Sequence, residues 1–154
     1  MAAGVLTQRD TYFQARVGRL KLREETDTVP RLIAYDRSDR TGTRESRYRI
    51  VEVAQPDGLK AVLSATLGVE AVVAKQRRLF LWRGVRIHLD EVEGIGSFIE
   101  FEAIATVDSD LGKERKTIET LRSGFEISDA DLVKGSYCDL TTDRADAARS
   151  ATRP

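Results

Sequence analysis

The sequence holds one cysteine, Cys138, and one histidine, His88, among 154 residues. A single cysteine excludes a disulfide framework and thiol zinc-finger spacing, and it fits a reducing compartment. A single histidine confines any Ser–His chemistry to His88. No apolar run approaches the length of a membrane span. The N-terminus lacks the basic-then-apolar pattern of a signal peptide, so a cytoplasmic location is expected. Aromatic residues make up only 6% of the chain, which leaves few platforms for stacked bases. Lys plus Arg and Asp plus Glu are equal, 25 each, so overall charge points to no partner. There is no internal repeat, no G-x-x-x-x-G-K-[ST] phosphate loop and no G-x-S-x-G elbow. Gly94-Ile-Gly96 lacks the third glycine of a dinucleotide loop, because Ile99 stands there.

What is present fits one soluble domain with a sizeable core. Mean hydropathy is −0.35 and 32% of residues are charged. The dominant pattern is alternation, the period of a half-buried strand. A short strand-like run lies within Gln8 to Ala15, and Val17-Gly18 turns the chain. Arg19, Lys21 and Arg23 then share one face, with Leu20 and Leu22 on the other. Ile33, Tyr35 and Arg37 share a face after Pro30. Arg47 to Val53 is a further strand. Asp57 to Leu67 changes to helical spacing through Leu59, Val62, Leu63 and Leu67, with Asp57 as cap and Gly68 as stop. Val69 to Trp82 is strand again, with Lys75 and Arg77 on one face. Helical stretches are expected from Leu111 to Arg122 and from about Ser128, where Ser128-Asp-Ala-Asp131 matches a capping signal. Residues 141–154 read as a flexible polar tail, and residues 1–140 as the domain.

The longest patterned stretch runs from Val85 to Ala105. Val85, Ile87 and Leu89 alternate with Arg86, His88 and Asp90. After Gly94-Ile-Gly96, Ile99, Phe101 and Ala103 alternate with Glu100 and Glu102, so the stretch reads as a hairpin. Folded about Ile95, it sets Asp90 opposite the Glu100–Glu102 region on one face. Like charges placed opposite each other destabilise a sheet. That face is therefore either open to water or a place where a hard cation such as Mg²⁺ or Mn²⁺ holds the acids.

The strand faces thus carry cations (Lys21, Arg23, Arg37, Lys75, Arg77 and Arg86) and acids (Asp90, Glu100 and Glu102). A cavity holding both sets suits a metal-chelated polyanion: a nucleoside triphosphate or inorganic polyphosphate. Arg matches phosphate oxygens in a planar fork and Lys supplies a point charge. A nucleic-acid groove would want aromatics beside the cations and has no use for facing carboxylates. His88 reads as a polar strand residue without a catalytic part, and Cys138 as a small buried residue. Phe80 and Trp82 read as the exterior of a barrel under a helix.

Several pieces together resemble the CYTH family, the triphosphate tunnel metalloenzymes, which include class IV adenylyl cyclases and thiamine triphosphatases. These are Asp10-Thr-Tyr-Phe13, Gly18-Arg-Leu-Lys-Leu-Arg-Glu24, Leu32-Ile-Ala-Tyr-Asp-Arg37, Val73-Ala-Lys-Gln-Arg77 and the Arg86–Glu102 hairpin. Ser136-Tyr-Cys-Asp-Leu140 is similar to the closing helix of the cyclase-like branch. The resemblance implies an α+β fold: an antiparallel β-barrel whose tunnel takes the triphosphate, with about three helices packed outside. It implies Glu100 and Glu102 as ligands of Mg²⁺ or Mn²⁺, with Asp90 beside them as ligand or supporting acid. Lys21, Arg23, Arg37, Lys75, Arg77 and Arg86 would then grip phosphates.

One departure stands out. The family's Glu-x-Glu-x-Lys motif on the first strand is absent. The expectation is an incomplete barrel from an N-terminally truncated chain, with Met1 to Leu6 leading into the next strand. Unpaired edges would favour a homodimer. Two functions stay open. One is a metal-dependent enzyme, forming cyclic AMP and pyrophosphate from ATP or hydrolysing a triphosphate such as thiamine triphosphate. The other is a non-catalytic nucleotide or polyphosphate binder.

Overall fold

The computed structural model describes residues 2–37, 46–106 and 108–151, with the backbone alone at Ala2, Ala3, Arg37 and Ala151. Seven strands form one antiparallel sheet: β1 (Ala2–Phe13), β2 (Arg19–Glu25), β3 (Arg31–Arg37), β4 (Ser46–Glu52), β5 (Val69–Trp82), β6 (Val85–Val92) and β7 (Gly96–Ala103). Their spatial order is β4-β3-β2-β1-β5-β6-β7. The sheet curls into a half-barrel with β4 and β7 as its edges. The expected α+β class and incomplete barrel both hold, and the sheet forms an open trough.

β1 is longer than its sequence pattern suggests. The stretch expected to lead into a strand is itself strand, and it sits centrally between β2 and β5. Thr and small apolar residues there give no strict alternation. The β5–β6 connection is Arg83-Gly84, both at positive φ, which is the geometry of a two-residue hairpin turn.

Strand parity sorts the side chains onto two faces. Leu20 and Leu22 of β2 lie on the outer face with Phe13 and Thr11. Phe13 and Leu22 are buried there. Helix α1 (Pro56–Leu67) crosses β1, and its Lys60 reaches Glu24 at 2.6 Å. Pro56 opens α1 behind Gln55, so Asp57 belongs to the first turn and does not cap. Farther along the outer face, α2 (Gly112–Gly124) lays Leu121 on Val85 and Ile87, with Phe80, Trp82, Phe101 and Ala103 packed around them. Phe80 and Trp82 are therefore exterior residues beneath a helix, as their pattern implies.

Helix α3 (Tyr137–Ala151) breaks the expectation that every helix packs outside. Its Cys138 is buried among Tyr12, Ile33, Tyr35, Ala71, Val73 and Val92, which all belong to the inner face. The inner face is thus partly apolar, and α3 docks where it is. The S-x-x-D signal that starts this helix is Ser136–Asp139, whose side chains and backbone bond each other. The similar signal at Ser128–Asp131 opens only a 3-10 turn. The polar stretch after Thr141 is helical through Ala151, and Thr141 and Thr142 return side-chain hydrogen bonds to the preceding turn.

Candidate functional site

The inner face gathers charge along a diagonal from β2 to β7. On β2 the alternation of Arg19-Leu-Lys-Leu-Arg23 directs Lys21 and Arg23 inward beside Asp10 of β1, which lies directly opposite Arg23. Asp10 is 2% exposed. Lys21 Nζ donates to its Oδ2 at 2.7 Å, and Arg23 grips both oxygens at 2.8 Å through Nε and Nη2. Burial alone would raise the Asp10 pKa, but Lys21 and Arg23 more than offset it and hold the carboxyl well below the usual range. Burial also lowers the Lys21 pKa from 10.5 to about 8, with Asp10 pulling the other way.

The same unit recurs on β5 and β6. Asp90 lies directly opposite Arg77. Lys75 Nζ donates to Asp90 Oδ2 at 2.9 Å, and Arg77 Nε and Nη2 reach Oδ1 and Oδ2 at 2.6 Å. In each unit a Lys-x-Arg strand presents two cations to one carboxylate on the adjacent strand. The carboxylate fixes both side chains without cancelling their summed charge. Burial lowers the Lys75 pKa, and the Asp90 carboxyl is held low because Arg77 and Lys75 outweigh its own desolvation.

The two units meet at Gln8, directly opposite Lys75 on β5 and Glu25 on β2. Gln8 donates to Glu25, while its Oε1 is buried without a partner. Tyr137 of α3 roofs the second unit. Lys75 Nζ lies 4.7 Å from its ring centroid and Phe98 packs at 5.0 Å, and burial with the neighbouring Asp90 and Glu100 charges raises the phenol pKa.

The acids of β7 continue the diagonal. The observed register pairs Asp90 with Phe98, His88 with Glu100 and Arg86 with Glu102. The hairpin closes two positions tighter than folding about Ile95 implies. All three acids keep one face, but His88 and Arg86 rather than acids stand opposite Glu100 and Glu102, which avoids like-charge pairing. Glu100 Oε2 accepts from Arg77 Nη2 at 2.9 Å and meets His88 Nδ1 at 3.3 Å. Burial would raise the Glu100 pKa, but His88, Arg77 and Lys75 lower it overall. Arg86 Nη1 bonds Glu102 at 3.3 Å, a pair open to solvent on both sides.

The trough therefore brings together Lys21, Arg23, Lys75, Arg77, Asp90, Glu100 and, at its rim, Arg86 and Glu102. Arg37 ends β3 on the same face by register with Ser46, and its side chain lies outside the described residues. Among the described residues no three His, Cys, Asp or Glu side chains converge as a metal cluster. Sequence reasoning missed Asp10, although its motif was noted. It also missed His88 and Tyr137 as partners of the acids. Asp10 was legible as an inward acid once β1 was phased against β2. Tyr137 was not, since helix docking on the inner face leaves no mark in strand alternation.

A depression over the β5–β6–β7 strands is lined by Gln76, Arg78, Leu89, Glu91, Ser97 and Ile99, with Asp90 and Phe98 also contributing to its wall. It holds no comparable convergence of bonded charge, so the inner trough is the better candidate. Among the described residues no helix is long and apolar enough to cross a membrane.

Solved structures share this architecture. The PH1012 protein of Pyrococcus horikoshii OT3 superposes with a TM-score of 0.78 at 23% identity, covering 90% of this chain and 84% of that one. The PH1819 protein of the same organism gives 0.71 at 18% identity, covering 94% and 88%. A Vibrio parahaemolyticus protein called a "putative adenylate cyclase" gives 0.68 at 22% identity, covering 91% and 82%. No curated protein matches the sequence. The model of the CYTH domain matches residues 1–137, and with the trough, its paired Lys-x-Arg units and its β7 acids, the chain belongs to the CYTH domain family.

Proposed function

We propose that the inner trough binds a triphosphate and that the protein is a metal-dependent enzyme acting on it. The carrying observation is the repeated unit: Asp10 with Lys21 and Arg23, and Asp90 with Lys75 and Arg77, in the same bonding pattern. Each carboxylate orders a cation pair in advance, so a phosphate chain meets donors already in place. Arg37 and Arg86 would extend the grip at the two ends.

The residues fit a hard dication in part. Glu100 and Glu102 stand two apart on one face of β7, with side chains 40% and 36% exposed. Mg²⁺ commonly takes one or two carboxylates and completes its shell with water and substrate phosphates. Asp90 has both oxygens committed to Lys75 and Arg77, so it serves as a positioning acid rather than a ligand. When bound, the metal supplies Lewis-acid polarisation of a phosphoryl oxygen. The chain's cations offset the charge that builds on phosphate oxygens, and α3 limits water above Lys75 and Asp90. Attack by a ribose hydroxyl on the α-phosphorus releases pyrophosphate and gives cyclic AMP. Attack by water on the terminal phosphorus breaks its bond to the bridging oxygen, releasing orthophosphate and leaving the diphosphate, the reaction of a triphosphatase.

ATP, thiamine triphosphate and tripolyphosphate, each with Mg²⁺ or Mn²⁺, separate these outcomes by product: cyclic AMP with pyrophosphate, or orthophosphate. Glu100→Gln and Glu102→Gln should each lower turnover by about 100-fold without loss of fold. Unchanged turnover would contradict the metal assignment. Binding of all three without turnover would favour the second reading, a non-catalytic polyphosphate binder. The saturated Asp90–Arg77–Glu100 network is the observation that keeps that reading in play.

A further inference from the structure

His88 is one polar position in the alternation of β6, yet only 5% of it is exposed. β5 sets Leu79 opposite it on one side, and β7 sets Glu100 opposite it on the other. Leu79 offers the ring no polar partner, so its nitrogens turn to the β7 acids. Nδ1 lies 3.3 Å from Glu100 Oε2, and Nε2 lies 3.9 Å from Glu102 Oε2. A carboxylate only accepts, so Nδ1 carries the proton of the shorter contact. Nε2 stands too far from Glu102 for a hydrogen bond. Glu100 Oε2 thus takes two donors, Arg77 from β5 and His88 from β6, while Oε1 takes none among the described residues.

Arg77 alone would hold Glu100 poorly for a metal. The Nη2 that reaches Glu100 is also bonded to Asp90 Oδ2 at 2.6 Å, so it draws one acid toward another. His88 holds Glu100 from the β6 side, with its Nε2 edge toward Glu102. We propose that His88 is a positioning residue for the dication: its Nδ1–H fixes Oε2 of Glu100 and leaves Oε1 to the metal that Glu102 shares. The Glu100 carboxylate is then ordered before the metal arrives. Glu102, in an exposed pair with Arg86 at 3.3 Å, is free to follow. Partners that orient a ligating side chain in this way typically carry about 10- to 100-fold of metal affinity. This rests on the metal-dependent reading and adds the residue that prepares its site.

The test is Mn²⁺ uptake by the full chain, followed by loss of the free-ion electron paramagnetic resonance signal. His88→Leu keeps the bulk, and His88→Gln sets its amide nitrogen where Nε2 stands; each should lower Mn²⁺ affinity by about tenfold or more. His88→Asn puts an amide N–H at the place of Nδ1 and should stay within about threefold of the native chain. A packing role alone would give the opposite order, with Leu tolerated better than Asn. The spin-echo spectrum of bound Mn²⁺ should show no directly coordinated nitrogen. Tripolyphosphate titrated without metal should bind all three variants within about twofold of native, since its cations lie apart from the ring. Native affinity for Mn²⁺ in the Leu or Gln variant, or no rescue by Asn, overturns the positioning role and leaves the Glu100–Glu102 site standing. So does strong nitrogen coupling, which would make His88 a ligand itself, or a loss of tripolyphosphate in step with Mn²⁺. A native chain that takes up no Mn²⁺ overturns the metal reading, and the positioning role with it.

Discussion

Asp10 loses nearly all contact with water on folding and is then held by Lys21 and Arg23. Removing one partner of such a buried pair typically costs about 3–5 kcal/mol, because an unpaired charge stays behind. The arrangement is also poised for an anion. Lys21 has a pKa near 8 in the folded chain, lowered from 10.5 by burial. A group whose folded pKa lies below its unfolded one binds fewer protons when folded, so its charge is held at a cost below pH 8. That cost disappears as pH rises toward 10.5. A phosphate beside Lys21 favours the ammonium and reverses the shift, so binding should take up a proton above pH 8. Tripolyphosphate affinity should therefore fall by several-fold between pH 7.5 and 9.5, and Lys21→Arg should flatten much of that fall, since Arg stays charged. Calorimetry across this range checks it, and an affinity indifferent to pH in the native chain would remove Lys21 from the grip.

At the scale of elements, α3 decides how closed the trough is. Its first turn is tied down by Asp139, which accepts from Ser136 N at 2.6 Å and from Arg19 Nη2 at 2.7 Å. Gly135 precedes this turn at φ +80°, and a Cβ there would lie 2.9 Å from Asp139 Oδ2. Gly135→Ala should cost about 2 kcal/mol, from the left-handed backbone and the displaced carboxylate. Docking is readable through Cys138, 1% exposed with its thiol pushed up to about 12 by burial. The variant should react with a thiol reagent at least severalfold faster than the native chain, while equal rates would mean Gly135 does not hold α3 in place. This element was the least legible in the sequence. The polar run after Thr141 carries no apolar stripe of helical period, and its side chains from Asp143 to Ser150 are exposed. Strand periodicity fared better: β2, β5, β6 and β7 fall where alternation puts them, and Arg83-Gly84 closes β5 onto β6. The hairpin register escaped because glycines at 94 and 96 allow more than one closure, and the bonded turn resolves it.

On the scale of the whole molecule, one curled sheet gathers opposite charges on its inner face. That segregation was readable from parity alone, because a strand's period of two assigns each residue to a face regardless of register. The trough's partial apolarity was not, because Ala71 and Val73 share their face with Lys75 and Arg77 on one continuous strand. The most direct measurement is a crystal structure of the chain soaked with Mn²⁺ and tripolyphosphate, located by anomalous scattering. A manganese peak is expected beside Glu100 and Glu102, with phosphate density contacting Lys21, Arg23, Lys75 and Arg77. Ligand density on the outer face near Arg78 and Leu89, with the inner trough bare, would contradict it.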